Sequence, residues 1–224
     1  MLKSQIYFGN CLDFIKELPD DSIDVCLTDP PYGIGFQSNA RKDKLAKIEN
    51  DEVPFVDWIK PLFSKMKDGG RLLCFYRWDV QDAFLGEILD AGFIIKSQII
   101  WDKNAYGMGD LKGEFAPSHE NIIYAAKGRY EFTNKRPTTV YRVQRVDSGK
   151  LIHPNQKPLD LIKRLILDIS QPNERIFDPF GGSMVTYIAC RELNRTCLTC
   201  ELSQEYYEIG LNNVKKNTFK TKLF

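Results

Sequence analysis

Residues 177–203 read FDPFGGSMVTYIACRELNRTCLTCELS, and this stretch decides the fold class. A short apolar run ends at Asp178, a glycine pair follows at Gly181 and Gly182, a helical pattern comes next, and a second apolar run closes on Glu201. Strand, glycine turn, helix and strand in that order make one unit of an α/β sheet. The two glycines let the backbone turn sharply and approach a ligand closely. Glu201 stands 19 residues beyond Gly182. At that spacing an acid accepts the ribose hydroxyls of a nucleoside cofactor. The loop is not GxGxxG, so a nucleoside is favoured over a dinucleotide.

Outward from this unit, apolar runs at 23–28, 71–76, 93–101, 122–126, 175–177 and 196–200 predict strands, with a turn at Gly69 and Gly70 before the second. Helical spacing appears over 55–66, 80–91 and 158–170, the last with Leu161, Ile162, Leu165, Ile166 and Ile169 on one face. The alternation predicts a doubly wound, mostly parallel sheet of Rossmann-like form, covered on both faces. Residues 102–120 and 127–156 are rich in Gly, Pro and charge and read as insertions in a single domain spanning 1–224.

The composition, 43% hydrophobic and 27% charged over 224 residues, belongs to a globular chain with a core of its own. No apolar stretch approaches the roughly 20 residues of a membrane span, and the opening MLKSQIYFGN lacks a signal-peptide pattern. A cytoplasmic location is expected. Six cysteines fit that compartment as reduced thiols; the CxxC at Cys197 and Cys200 has no second ligand pair nearby and reads as buried strand, so no metal is assigned. Net charge is only +1, yet three segments are basic: 41–47 at +3, 127–150 at +5 and 214–224 at +4. Placed together on loops, they would focus positive potential onto part of the surface, where a polyanion could be held.

A second chemical signal follows the first strong strand. In IDVCLTDPPYGIGF, Asp29, Pro30, Pro31 and Tyr32 come directly after residues 23–28. Two prolines fix the backbone and remove its donors, leaving carbonyl acceptors on a rigid loop. With the Asp29 carboxylate and the flat Tyr32 ring, these groups suit a planar ligand bearing an NH₂. A polyproline turn with its Tyr packed on the core would suit the same residues.

On these motifs the chain resembles the DNA amino-methyltransferases that use S-adenosylmethionine, in the β-group order with DPPY before the FxG cofactor loop. Also matching are GNCLDFIKELPDDSIDVCLTDPPY, WDKNAYGMGDLKGEFAPSHENIIYAAKG, the HPNQKP run at 153–158 and FDPFGGS. The resemblance implies that Asp29, Pro30, Pro31 and Tyr32 form the target-amine site, with Tyr32 stacking on a flipped base. It implies cofactor contacts from Asn10, Asp29, His153, Gln156, Lys157, Asp178, Phe180, Gly182 and Ser183, with Glu201 on the ribose. Residues 127–150 fall where the family has its target-recognition segment. Arg129, Arg136, Arg142 and Arg145 there, with Arg41, Lys42 and Lys44 in a loop after DPPY, would hold double-stranded DNA. The histidines, His119 and His153, fall in loops. Met184 stands where the family has a small residue, which would affect either cofactor binding or the start of the following helix.

Asp in first place of DPPY resembles the adenine-N6 enzymes, whereas the cytosine-N4 enzymes more often carry Ser. Adenine N6 in duplex DNA is therefore the expected target, with cytosine N4 as the alternative. A homodimer and a partner nuclease are compatible with the sequence. A nucleotide-dependent oxidoreductase would leave DPPY without a role, and an inactive nucleic-acid-binding relative would be favoured by Met184 alone. Methylation of RNA or of a protein amide shares the amine chemistry.

Overall fold

In a computed structural model of the chain, residues 3–33, 53–107, 111–133 and 135–220 are described. Their strands are β1 (Gln5–Phe8), β2 (Ile23–Thr28), β3 (Met66–Tyr76), β4 (Ile94–Asp102), β5 (His119–Ala126), β6 (Val140–Arg142), β7 (Arg175–Asp178) and β8 (Thr196–Glu201). They form one eight-stranded sheet in the order β1-β8-β7-β2-β3-β5-β4-β6. β5 runs antiparallel to β3 and β4, while the other neighbouring pairs are parallel. The carboxyl ends of seven strands, with the start of β5, therefore share one edge.

All six residues of β2 are buried, so both faces of the sheet are covered there, as in doubly wound folds. The helices are α1 (Cys11–Glu17), α2 (Ile59–Lys65), α3 (Gln81–Asp90), α4 (Leu159–Ile169), α5 (Val185–Glu192) and α6 (Gln204–Lys220). α2 packs against both α1 and α3, and α5 against both α4 and α6. The predicted stripe of α4 is buried at all five positions, each worth about 1.5–3 kcal/mol in apolar transfer. No helix among the described residues is long and apolar enough to cross a membrane.

Several boundaries differ from the sequence reading. Gly69 and Gly70 lie inside β3, where the register with β2 shifts between Ile23 and Val25, and Gly69 adopts φ +74°. They form an irregularity within the strand, not a turn before it. The helix read at 55–66 begins only at Ile59. Pro61 tolerates a place in a first turn but would block an earlier start, because its ring clashes with the carbonyl four residues back. β1 was not foreseen: its pattern is exposed at both ends, and it reads as a strand only through its pairing with β8. His119 opens β5 and is not in a loop. The basic segment 127–150 is not all loop either, since β6 adds to the sheet beside β4. Residues 214–220 continue α6.

Met184 precedes α5 in the left-handed region, with φ +59°, and is fully buried. That conformation costs a non-glycine residue about 1–2 kcal/mol. The side chain is accommodated by two glycines: a Cβ at Gly181 would lie 2.7 Å from its sulfur, and one at Gly210 would lie 2.5 Å from its Cγ. Met184 therefore packs between the glycine loop and α6. Two helical glycines should consequently respond in opposite ways. Gly210→Ala should destabilise the protein by about 1–3 kcal/mol through overpacking. Gly86→Ala at an exposed position of α3, where a Cβ meets nothing within 4 Å, should stabilise it by about 0.5–1 kcal/mol. Urea unfolding of both variants measures the contrast.

Candidate active site

The shared edge carries a cleft that encloses about 1190 Å³ of empty space, open mouth included, enough for a nucleoside-sized ligand. Four strand ends supply it: Asn10 after β1, Asp29 to Pro31 after β2, Asp178 to Ser183 after β7, and Glu201 at the end of β8. The segment before α4 adds His153, Gln156 and Lys157. All of the cofactor-site residues expected from the sequence thus line one cavity.

The glycine loop is braced from below. Gly181 N–H donates to the Cys200 carbonyl at 2.6 Å. Gly182 N–H donates to Glu201 Oε2 at 2.7 Å, and Ser203 N–H to Oε1 at 3.0 Å. A carboxylate offers about four acceptor sites, so Glu201 can brace the loop and still meet hydroxyls in the cleft. Gly182 has φ +47°, and a Cβ there would press on the His153 ring at 3.2 Å. His153 packs against Tyr206 at 4.4 Å between centroids. Burial, helped by the Lys157 charge, pushes its pKa down to about 3, so the imidazole is neutral.

Asp178 Oδ1 accepts from Thr28 Oγ1 at 2.9 Å and from Phe180 N–H at 3.2 Å. Burial nevertheless pushes its pKa up to about 7. Asn10 caps α1 through its side-chain oxygen, which accepts from Leu12 N–H at 2.9 Å. Gln156 Oε1 accepts from Ile152 N–H at 3.0 Å.

Asp29 is held at both oxygens. The Tyr32 hydroxyl donates to Oδ1, and the Lys157 ammonium lies 2.7 Å from Oδ2. Burial raises the Asp29 pKa, and Lys157 opposes that rise. Tyr32 does not line the cleft; its buried ring meets Phe84 edge-on at 6.3 Å. The polyproline-turn reading, with the Tyr against the core, describes this arrangement. Lys157 is also 3.0 Å from Glu120 Oε2, while Lys103 holds Glu120 Oε1 at 2.9 Å. Burial disfavours the Lys157 charge, but Asp29 and Glu120 outweigh it and raise its pKa. Lys157 is thus committed to two carboxylates, a role that HPNQKP alone did not reveal. Glu120 was missed altogether. Its signal in the sequence was a charged residue two positions before the apolar run at 122–126.

The arginines of 127–150 are dispersed. Arg129 pairs with Glu131 at 2.6 Å and Arg142 with Asp102 at 2.8 Å. Arg136 and Arg142 line a second, separate groove with Lys135 and Arg164, and the Arg145 backbone bonds the Lys103 carbonyl. Arg41, Lys42 and Lys44 lie outside the described residues. The six cysteines are free and buried.

A methyl donor built on a nucleoside needs an acceptor for its hydroxyls and carboxylates near its cation. Glu201, Asp29 and Asp178 supply these within one cavity, so the residues present fit S-adenosylmethionine, and the site defines a methyltransferase. A family profile described as DNA methylase matches residues 23–212. The chain belongs to the N6/N4 DNA methylase family and is an S-adenosylmethionine-dependent DNA methyltransferase. The type II methyltransferase M2.MboI of Moraxella bovis is 31% identical over 97% of this chain and 92% of its own. Among solved structures, the M1.HpyAVI complex with its cofactor is 22% identical, with TM-score 0.75 over 94% of this chain and 98% of that one. The cytosine-N4-specific PvuII DNA methyltransferase, 18% identical, also reaches 0.75, over 98% and 91%.

The raised Asp178 pKa gives a stability prediction. Between its unfolded value of 3.8 and its folded value of about 7, the folded state binds a proton that the unfolded state has lost. Stability from this group is thus greatest below pH 3.8 and is lost as pH rises to about 7. Asp178→Asn should be more stable relative to wild type at about pH 8 than at about pH 5, by a few kcal/mol. Urea unfolding at the two pH values checks the sign.

Proposed function

We propose that this chain transfers a methyl group to the N6 amine of adenine in double-stranded DNA. The observation that carries the reading is Asp29-Pro30-Pro31 opening onto the same cleft as Glu201 and the glycine loop. An exocyclic amine is a poor nucleophile because its lone pair is delocalised into the ring. With its two hydrogens accepted by Asp29 and the Pro30 carbonyl, the nitrogen can pyramidalise and localise that pair. S-adenosylmethionine supplies a methyl group activated by a sulfonium. Methyl transfer would break the donor's carbon–sulfur bond, and Asp29 is the adjacent acceptor for the proton that the amine nitrogen would then give up. The protein acts through placement and charge.

The amine is inaccessible inside a duplex, so the base must leave the stack. Tyr32 fixes Asp29 through its hydroxyl, beside the stacking role that the resemblance implies. Glu201 holds ribose hydroxyls while bracing Gly182, and Asn10, His153, Gln156, Asp178, Phe180 and Ser183 shape the remainder of the cofactor cavity. Arg129, Arg136, Arg142 and Arg145 serve as phosphate contacts, which position a duplex without reading it. Asp29 in first place supports adenine; cytosine N4 is the second reading, supported by the fold shared with a cytosine-N4 enzyme.

Incubation with S-adenosylmethionine and unmethylated duplex DNA, digestion to nucleosides and mass spectrometry should show N6-methyladenine. N4-methylcytosine would move the assignment to the second reading. Asp29→Ala should lower turnover at least about 10²-fold with cofactor affinity retained. Glu201→Ala should instead weaken cofactor binding about 10–100-fold, read by calorimetric titration.

A further inference from the structure

An Asp29 oxygen must be available to the incoming amine, yet both are engaged. Tyr32 is the fixed partner, a buried ring packed against Phe84. Lys157 is the exchangeable one, because its ammonium already has a second carboxylate 3.0 Å away in Glu120. Glu120 is itself anchored by Lys103 at 2.9 Å, so it stays in place when Lys157 moves. We propose that Glu120 is a positioning residue for methyl transfer: it receives the Lys157 ammonium when the target amine takes that ammonium's place on Asp29. The inference rests on the amine-methylation reading above and deepens it.

The charge balance favours such a shift. During transfer the amine nitrogen gains positive charge, which a neighbouring ammonium opposes more strongly the closer it lies. Leaving the site altogether would strand a buried cation at high cost. Sliding from one carboxylate to the other keeps it paired, on a flexible stem suited to the motion. Lys157 lies over the Phe75 ring at 5.0 Å, an apolar wall that leaves the two carboxylates as its anionic neighbours.

The groups that act on Asp29 are Lys157, Glu120 and Tyr32. Asp29 acts in turn on Cys74 and Asp178, and Lys157 acts on His153. Removing the Glu120 charge should make Asp29 easier to ionise and leave Lys157 bound to it alone. Removing the Lys157 charge should do the opposite to Asp29. Steady-state kinetics of wild type, Glu120→Gln and Lys157→Met against duplex DNA across pH test this. Glu120→Gln should lower kcat/KM for DNA about tenfold with cofactor affinity unchanged, and should move the acid limb of the profile to lower pH. Lys157→Met should move that limb to higher pH. A uniform loss with the limb unmoved, or a defect confined to cofactor affinity, would overturn the proposal. In wild-type protein, the Lys157 ε-carbon resonance, identified by its absence from Lys157→Met, should shift on adding duplex DNA to the cofactor complex. An unmoved resonance would overturn it even if the Glu120 variant failed to fold. Absence of any methylated base from wild type that binds its cofactor would refute the functional reading itself, a distinguishable result.

Discussion

An ammonium held between two buried carboxylates sets the terms for the substrate side of the cleft. Asp29 and Glu120 come from neighbouring regions of the sheet edge, after β2 and at the start of β5. Without Lys157 between them they would repel in a medium that screens poorly. An unpaired buried carboxylate protonates in preference to remaining charged, and a protonated Asp29 loses acceptor capacity. The HPNQKP segment therefore does more than lead into α4. It carries the charge that lets the DPPY loop exist as an acceptor.

On the other side of β2 the problem is geometric. The chain must bring backbone close to a ligand at the end of β7, and it does so with Gly182 in a left-handed conformation tied to Glu201. One carboxylate thus links the loop to the end of the adjacent strand, so loop shape and the placement of the acid are set together. Burial of Asp178 and His153 on the same wall leaves one near the neutral boundary and the other uncharged.

Much of this was legible in the residues, for physical reasons. Strands buried on both faces read as continuous apolar runs, so β2, β7 and β8 stood out. That the expected residues share one cleft was readable because they sit at strand ends, where local motif and global position coincide. Edge strands lack that signature, and β1 and β6 were invisible without their partners. Glu120 and the second tie of Lys157 were likewise hidden, because both depend on pairings between residues distant along the chain. Met184 left open an effect on the cofactor or on the helix start, and one of the two glycines that accommodate it, Gly210, lies in another helix. Within the basic segment 127–150, Arg129 pairs with Glu131 and Arg142 with Asp102, and the second pairing joins residues far apart in sequence that composition could not connect.

The pairing of Gln5 with Leu198 has a consequence for how the protein comes into being. On the ribosome β1 emerges early and must wait for β8, the last of the eight described strands to be made, before its ladder can form. Pairings between such distant residues are slow to close. Glu201 lies at the end of that late strand, so the nascent chain acquires its DPPY loop long before it can close the cofactor cavity.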